Sequence, residues 1–421
     1  MDETVGIYVH IPFCASKCGY CDFYSRPDSD QMMDKYQQAL LAHIQESLPR
    51  MQPYYIDTVY FGGGTPSYYG AKRLCEVLDA LKASNRLLKD AEITAEMNPD
   101  SMRLNDLKLM RKEGFNRISM GVQSANDKIL KLIGRRHTYE QAVKAYRMAR
   151  QAGFKNISVD LIYGLPGQTK ADWADTLAKI IGWNPDHISC YGLKLEEGTP
   201  MYQVYHDTNA IPDDDTQADM YLYASEMLER HGYHRYEISN FARRGMESRH
   251  NLKYWKLHDY MGFGPSAHSC VGNQRYSYVP NLQSYITGVL TGGEIIDEHE
   301  TITELERANE YLMLSMRTAY GISARDYTAH FRASFAPLEE KLKFFAEKGW
   351  AKETNGRWAF TTSGFLVSNL LIGELLDVQA EQNAVGNPYL QEILDNVQRQ
   401  SLPESDDETF LRELFGMKDK G

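Results

Sequence analysis

Disulfide chemistry, membrane spans and a basic surface are all missing from this sequence. Six cysteines in 421 residues are too few for a disulfide framework, and their uneven placement suits a reducing compartment. No apolar run approaches the roughly eighteen residues of a spanning helix, and no basic stretch followed by an apolar one opens the chain. A cytoplasmic protein without a transmembrane segment is expected. Lys and Arg number 46 against 57 Asp and Glu, a net charge of −11 at pH 7. That balance excludes broad, sequence-independent nucleic-acid binding.

What is present is an ordinary globular composition, 43% hydrophobic and 24% charged, with enough length for two or three domains or one α/β barrel plus an appendage. Its 28 tyrosines and 17 methionines read as core and surface packing. Three of the six cysteines fall within eight residues, as Cys14-x3-Cys18-x2-Cys21, directly after an apolar run over residues 5–13. Three thiolates on one short loop can ligate one corner of an iron–sulfur cluster and leave its fourth iron without a protein ligand. Three reduced structural thiols, or a Cys3His zinc site recruiting His10, remain open on spacing alone. Cys75, Cys190 and Cys270 are isolated in the sequence.

Strand-like runs over 7–11, 58–61, 92–96, 117–120, 157–162 and 187–191 alternate with helical periodicity, as at Met33, Tyr36, Leu40, Ile44 and Leu48. Such alternation implies parallel strands joined by right-handed crossovers, and six units suit a partial (β/α)6 barrel. Glycines and polar residues gather where these strands end. Gly62-Gly-Gly64-Thr65-Pro66 follows the second, Glu96 closes the third, and Gly121-Val-Gln123 the fourth. Arg135 comes soon after, and Asp160 lies in the fifth. Barrel enzymes build their sites on that face. Taken singly, each of these side chains could be an ordinary surface polar group.

The cysteine spacing followed by Gly-Gly-Gly-Thr-Pro resembles the radical S-adenosylmethionine (SAM) superfamily. Tyr8-x-His10-x-Pro12-Phe-Cys14, Gly121-Val-Gln123, Arg135 and Asp160-Leu-Ile-Tyr-Gly-Leu-Pro166 are similar to its branch of oxygen-independent coproporphyrinogen III dehydrogenases and haem chaperones. The resemblance spans residues 8–278. It implies that Cys14, Cys18 and Cys21 hold a [4Fe-4S] cluster. It also implies that Tyr8, Tyr20, Gly63, Gly64, Thr65, Glu96, Gln123, Arg135 and Asp160 hold SAM. The residue types suit that task. Carboxylates can take ribose hydroxyls and an ammonium group, and an arginine can pair with a carboxylate. An aromatic beside a ligand cysteine can pack on adenine. Phe23 stands where the dehydrogenase pattern has a fourth cysteine, and only seven residues precede Tyr8. Both features align the chain with the chaperones, so no porphyrinogen dehydrogenase activity is expected. Oxidative decarboxylation of coproporphyrinogen III is the alternative.

Beyond the sixth strand, a helix is expected to start at the acidic stretch from Asp213, and a strand over 233–240. His250-Asn251-x-x-Tyr254-Trp255 then matches the haem-chaperone signature, which implies His250 as a haem ligand with aromatics beside it. Helices over 304–317, 323–331 and 338–348, a hairpin turn at Asn355-Gly356 and a helix capped by Thr362 or Ser363 make a winged-helix-like α+β module. A covering or partner-docking role is expected for it rather than DNA recognition. Four segments follow: a barrel over 1–230, an extension with the haem motif over 231–298, the winged-helix-like domain over 299–375 and a polar, partly ordered tail over 376–421. By resemblance the partners are haem and apo-haemoproteins of the respiratory chain. A homodimer and peripheral membrane contact stay open.

Overall fold

A computed structural model describes residues 3–331 and 334–384. Six parallel strands form its centre: β1 (Thr4–Ile11), β2 (Tyr55–Gly63), β3 (Leu87–Met97), β4 (Arg117–Gln123), β5 (Asn156–Tyr163) and β6 (His187–Gly192). They pair in sequence order, with helices between them, as the alternating pattern requires. Capping boxes at Thr138 and Thr169 start the helices Tyr139–Gln151 and Lys170–Trp183. β6 does not close onto β1, so the barrel is partial.

Residues after 231 extend both edges of this sheet. β7 (His234–Arg235) and β8 (Asn240–Ala242) add beside β6; β9 (Tyr260–Phe263), β10 (His268–Val271), β11 (Gln274–Tyr278) and β12 (Ile296–Thr301) add beyond β1. Tyr233, Phe241, Phe263, Tyr278 and Tyr285 belong to the same buried core as the barrel's Val5, Val59 and Ile118. The strand expected over 233–240 is only β7 and the start of β8. Between them Tyr236 accepts from Ala319 N–H and Ile238 donates to Arg317, so this backbone leaves the sheet to meet the carboxy-terminal domain.

That domain has its own core, including Leu312, Tyr327, Leu342, Trp358 and Phe365. Its helices are Glu304–Ser315, Ala324–Phe331, Ala336–Glu347, Thr362–Leu366 and Ser368–Ala384, and its small sheet joins β13 (Ile322–Ser323), β14 (Ala351–Thr354) and β15 (Arg357–Phe360). Asn355 and Gly356 both have positive φ, as the two-residue hairpin turn demands. Thr361, one residue earlier than expected, caps the next helix by accepting from Gly364 N–H. Most of the expected tail lies outside the described residues. Among those described, no helix is long and apolar enough to cross a membrane.

Alternation within the strands divides the barrel's two faces. Ile118, Met120 and Val122 of β4 pack outward under the helices, while Arg117, Ser119, Gly121 and Gln123 face the lumen. Glu96, Asp160, His187, Ser189 and Tyr191 line the same lumen. A barrel interior normally filled by branched apolar side chains is here polar and partly hollow.

Candidate functional site

The cysteine loop is fixed at both ends by backbone hydrogen bonds. Cys14 N–H donates to Arg26, Gly19 N–H to Ile133, and Met201 N–H back to Gly19. The Gly-Gly-Gly-Thr stretch after β2 zips onto its root: Gly64 N–H donates to Ile11 at 2.8 Å and Thr65 N–H to Phe13 at 2.7 Å. A Cβ on Gly64 would lie 2.7 Å from the Phe13 carbonyl oxygen and 2.8 Å from that of Ile11, both backbone atoms that cannot yield. The close approach that this glycine permits is therefore to the loop's own backbone. Thr65 Oγ1 and Cys14 Sγ share a hydrogen bond at 3.3 Å.

Cys14, Cys18 and Cys21 open onto one cavity of about 340 Å³, together with Tyr20, Gly63, Gly64, Thr65, Glu96, Gln123, Arg135 and Asp160. Eleven of the thirteen residues expected in the site thus share one wall system. Tyr8 and His250, the other two, line an adjoining cavity of about 570 Å³; Phe23, Tyr60, Gly63, Glu96, Tyr191 and Asn251 line both.

Each polar group is held by specific partners. Arg135 donates to Asn98 Oδ1 at 2.8 Å, to the Gly121 carbonyl and to Cys18 Sγ at 3.6 Å, which sets it at the rim beside the thiols. Glu96 accepts from Tyr60 OH at 2.9 Å and Gly63 N–H at 3.1 Å, and burial raises its carboxyl to about 7. Asp160 sits within β5 rather than at its end. Three hydroxyls donate to it: Ser119 at 2.8 Å, Ser158 at 3.1 Å and Ser189 at 2.6 Å. Burial pushes the Cys14 thiol up and that of Cys21 to about 11.

His10 is buried with both ring nitrogens engaged. Its Nε2 donates to the Tyr24 carbonyl at 2.8 Å, so its Nδ1 accepts from Tyr8 OH at 3.1 Å. No nitrogen is left for the zinc alternative. Among the described residues no three His, Cys, Asp or Glu converge on one metal ion. Three thiols opening onto one cavity are the donor set that a cluster with one iron left open takes.

His250 lies in the short helix Arg249–Trp255, capped by Ser248. Glu92 accepts from the backbone N–H of both Arg249 and His250, and Lys253 pairs with Asp57 at 2.8 Å, so the helix is anchored to β3 and to β2. Gly6 makes room for it: a Cβ there would meet Lys253 Cδ at 2.8 Å, Thr58 Oγ1 at 2.9 Å and His250 Cε1 at 3.3 Å. The imidazole is 1% exposed. Its Nδ1 contacts Thr58 Oγ1 and its Nε2 contacts Tyr254 OH, both at 2.8 Å, and its ring stacks on Tyr60 at 5.2 Å. Burial lowers its pKa to about 3, which keeps it neutral at physiological pH. Phe23, Tyr191, Tyr254 and Trp255 give this second cavity aromatic walls. Phe23 is 68% exposed.

A family model for the radical SAM superfamily matches residues 8–180, and one for the HemN carboxy-terminal domain matches residues 302–367. The haem chaperone HemW of Bacillus subtilis (strain 168) is 35% identical over 376 residues, covering 88% of this chain and 98% of that protein. The chain belongs to the HemW family of radical SAM proteins. HemW of Haemophilus influenzae is 30% identical over 378 residues, covering 87% of this chain and 97% of its own. Among solved structures, the Escherichia coli coproporphyrinogen III oxidase HemN, a radical SAM enzyme, superposes with a TM-score of 0.78 at 25% identity, over 90% of each chain. Membership in the HemW family agrees with the α/β barrel and the separate HemN-type domain found here.

Thr58, Tyr60, Arg117, Ser119 and His187 were not singled out from the sequence. Their signal is the period-two placement of polar residues within otherwise apolar strands, as at Arg117 and Ser119 or at His187 and Ser189.

Proposed function

We propose that this chain is a haem chaperone that binds a [4Fe-4S] cluster, SAM and haem, and delivers haem to apo-haemoproteins, those of the respiratory chain foremost. The observation that carries this reading is the position of His250, Tyr254 and Trp255 on the wall of an aromatic cavity that adjoins the three-cysteine cavity. Near full-length similarity to HemW proteins supports it.

In this reading Cys14, Cys18 and Cys21 hold the cluster, and Arg135 at the rim is the partner for the carboxylate of SAM. Glu96 and Asp160 offer acceptors to its ribose and amino groups, with Tyr20, Gly63, Gly64, Thr65 and Gln123 shaping the remaining wall. Tyr8 acts from the haem side, where its hydroxyl orients His10. When bound, the cluster and SAM would supply reductive radical chemistry, and the chain's own residues would position them.

Haem enters as cargo between Phe23, Tyr191 and Trp255. Iron ligation by His250 Nε2 replaces its contact with Tyr254, and Nδ1–H then donates to Thr58, which fixes the ring's tautomer and direction. The imidazole needs no deprotonation to serve, because burial already keeps it neutral.

His250→Ala is expected to lower haem affinity and to shift the visible absorption bands of whatever haem still binds, with iron and acid-labile sulfide unchanged. Anaerobic haem titration of both proteins checks this. Wild type is also expected to leave coproporphyrinogen III unchanged in the presence of reductant and SAM. Efficient decarboxylation, together with equal haem binding by His250→Ala, would replace this reading with the dehydrogenase.

A further inference from the structure

The barrel lumen contains a buried cation whose donors the protein leaves unmet. Arg117, the first residue of β4, is 2% exposed and lines the 340 Å³ cavity with Ser119, His187 and Ser189. Its Nε and Nη1 are buried and have no acceptor. Thr94, its register partner on β3, presents a hydroxyl that is buried and unpartnered as well. The neighbouring carboxylates do not fill the gap. Glu92 accepts from the backbone of Arg249 and His250, and Asp160 is surrounded by three serine hydroxyls.

Unmade hydrogen bonds on a buried charged group are strongly unfavourable, and native interiors rarely tolerate them without a ligand or water. A guanidinium presents its N–H groups in a planar fork that matches a carboxylate. We propose that Arg117, with the Thr94 hydroxyl as a further donor, forms a subsite for a ligand carboxylate in the three-cysteine cavity, and that this carboxylate is a propionate of the tetrapyrrole, reaching in from the adjoining cavity past Tyr60, Glu96 and Tyr191, which line both. The proposal rests on the haem reading above. SAM also carries a carboxylate, but a second arginine serves that end of the cavity: Arg135 is held at Gly121, roughly 13 Å further along β4.

The test uses anaerobically purified, cluster-loaded protein and metal-free protoporphyrin IX, which needs no iron ligand, alongside its dimethyl ester. Wild type is expected to bind the diacid about ten- to hundredfold more tightly than the diester. Arg117→Gln removes most of that preference, Arg117→Lys restores part of it, and Thr94→Val weakens it less. SAM affinity stays unchanged in all three variants. Equal binding of diacid and diester by wild type, binding of neither, or an undiminished preference in Arg117→Gln overturns the subsite. So does a loss confined to SAM. If Arg117→Gln does not fold, the wild-type comparison and Thr94→Val decide. The two readings fail separately. A diacid preference without His250-dependent haem binding keeps the subsite and removes the haem ligand; His250-dependent haem binding without a diacid preference does the reverse.

Discussion

Cys14→Ser, Cys18→Ser and Cys21→Ser will each purify without a full complement of iron and sulfide. The three thiols share one loop whose backbone is fixed by Arg26, Ile133 and Met201, and three thiolates for three irons leave no redundancy. The remaining cysteines are elsewhere: Cys75 packs in the helix Ala71–Lys82, Cys190 points from β6 into the outer core, and Cys270 lies on β10 beside Arg307. Cys75→Ser, Cys190→Ser and Cys270→Ser should therefore keep the cluster. Arg135→Ala should keep it too, while lowering SAM affinity by about ten- to hundredfold, the usual effect of a lost charge-assisted hydrogen bond. Because burial raises the thiols of Cys14 and Cys21, cluster uptake must expel protons and should strengthen as pH rises. Iron and acid-labile sulfide analysis reads all seven variants. A full cluster in any of the first three, with no added ligand, would remove the assignment.

The ligand-free protein is expected to lose stability steeply on mild acidification. Burial holds His10 down at about 4, His43, His137 and His250 at about 3, and His187 well below the ordinary 6.5. As pH falls below 6.5 the unfolded chain gains protons at these five positions and the folded chain does not. Each position then lowers stability by up to about 1.4 kcal/mol per pH unit. Two glutamates act in the opposite direction. Glu96 and Glu237, raised to about 7 by burial, hold protons in the folded state that the unfolded chain releases until about pH 4.5. Five against two leaves a net loss of about 4 kcal/mol per pH unit at its steepest. That is a large part of the roughly 5–15 kcal/mol that holds a typical domain folded. Urea unfolding at pH 7.5, 6 and 5 should show the midpoint falling sharply below 6.5, whereas a flat profile would mean that these histidines are not buried as neutral groups. Below about pH 4 the capping carboxylate Asp172 and the Arg357-paired Asp326, both held below the usual range, add to the loss.

The six barrel strands and the cysteine loop were legible in the sequence because their signals are local. Each strand is a short, nearly continuous buried run set between helical periodicities, and the three thiols stand within eight residues. The outer strands were not. Every residue of β12, Ile296–Thr301, is exposed, so no hydrophobic pattern marks it; it exists because β11 offers an edge to pair with. The stretch after Tyr233 has strand-like composition, yet its backbone bonds are diverted to Arg317 and Ala319, residues far away in sequence. The same limit applies within the site. Thr58 and Arg117 look like ordinary strand residues until the register brings them beside His250 and Thr94.

Haem transfer tests the central claim most directly. Wild-type protein loaded with one equivalent of haem without oxygen, then mixed with an apo-haemoprotein, should pass the haem across, with the absorption spectrum changing to that of the acceptor. Haem that never binds, or that stays on the chain while the acceptor remains empty, would contradict the account.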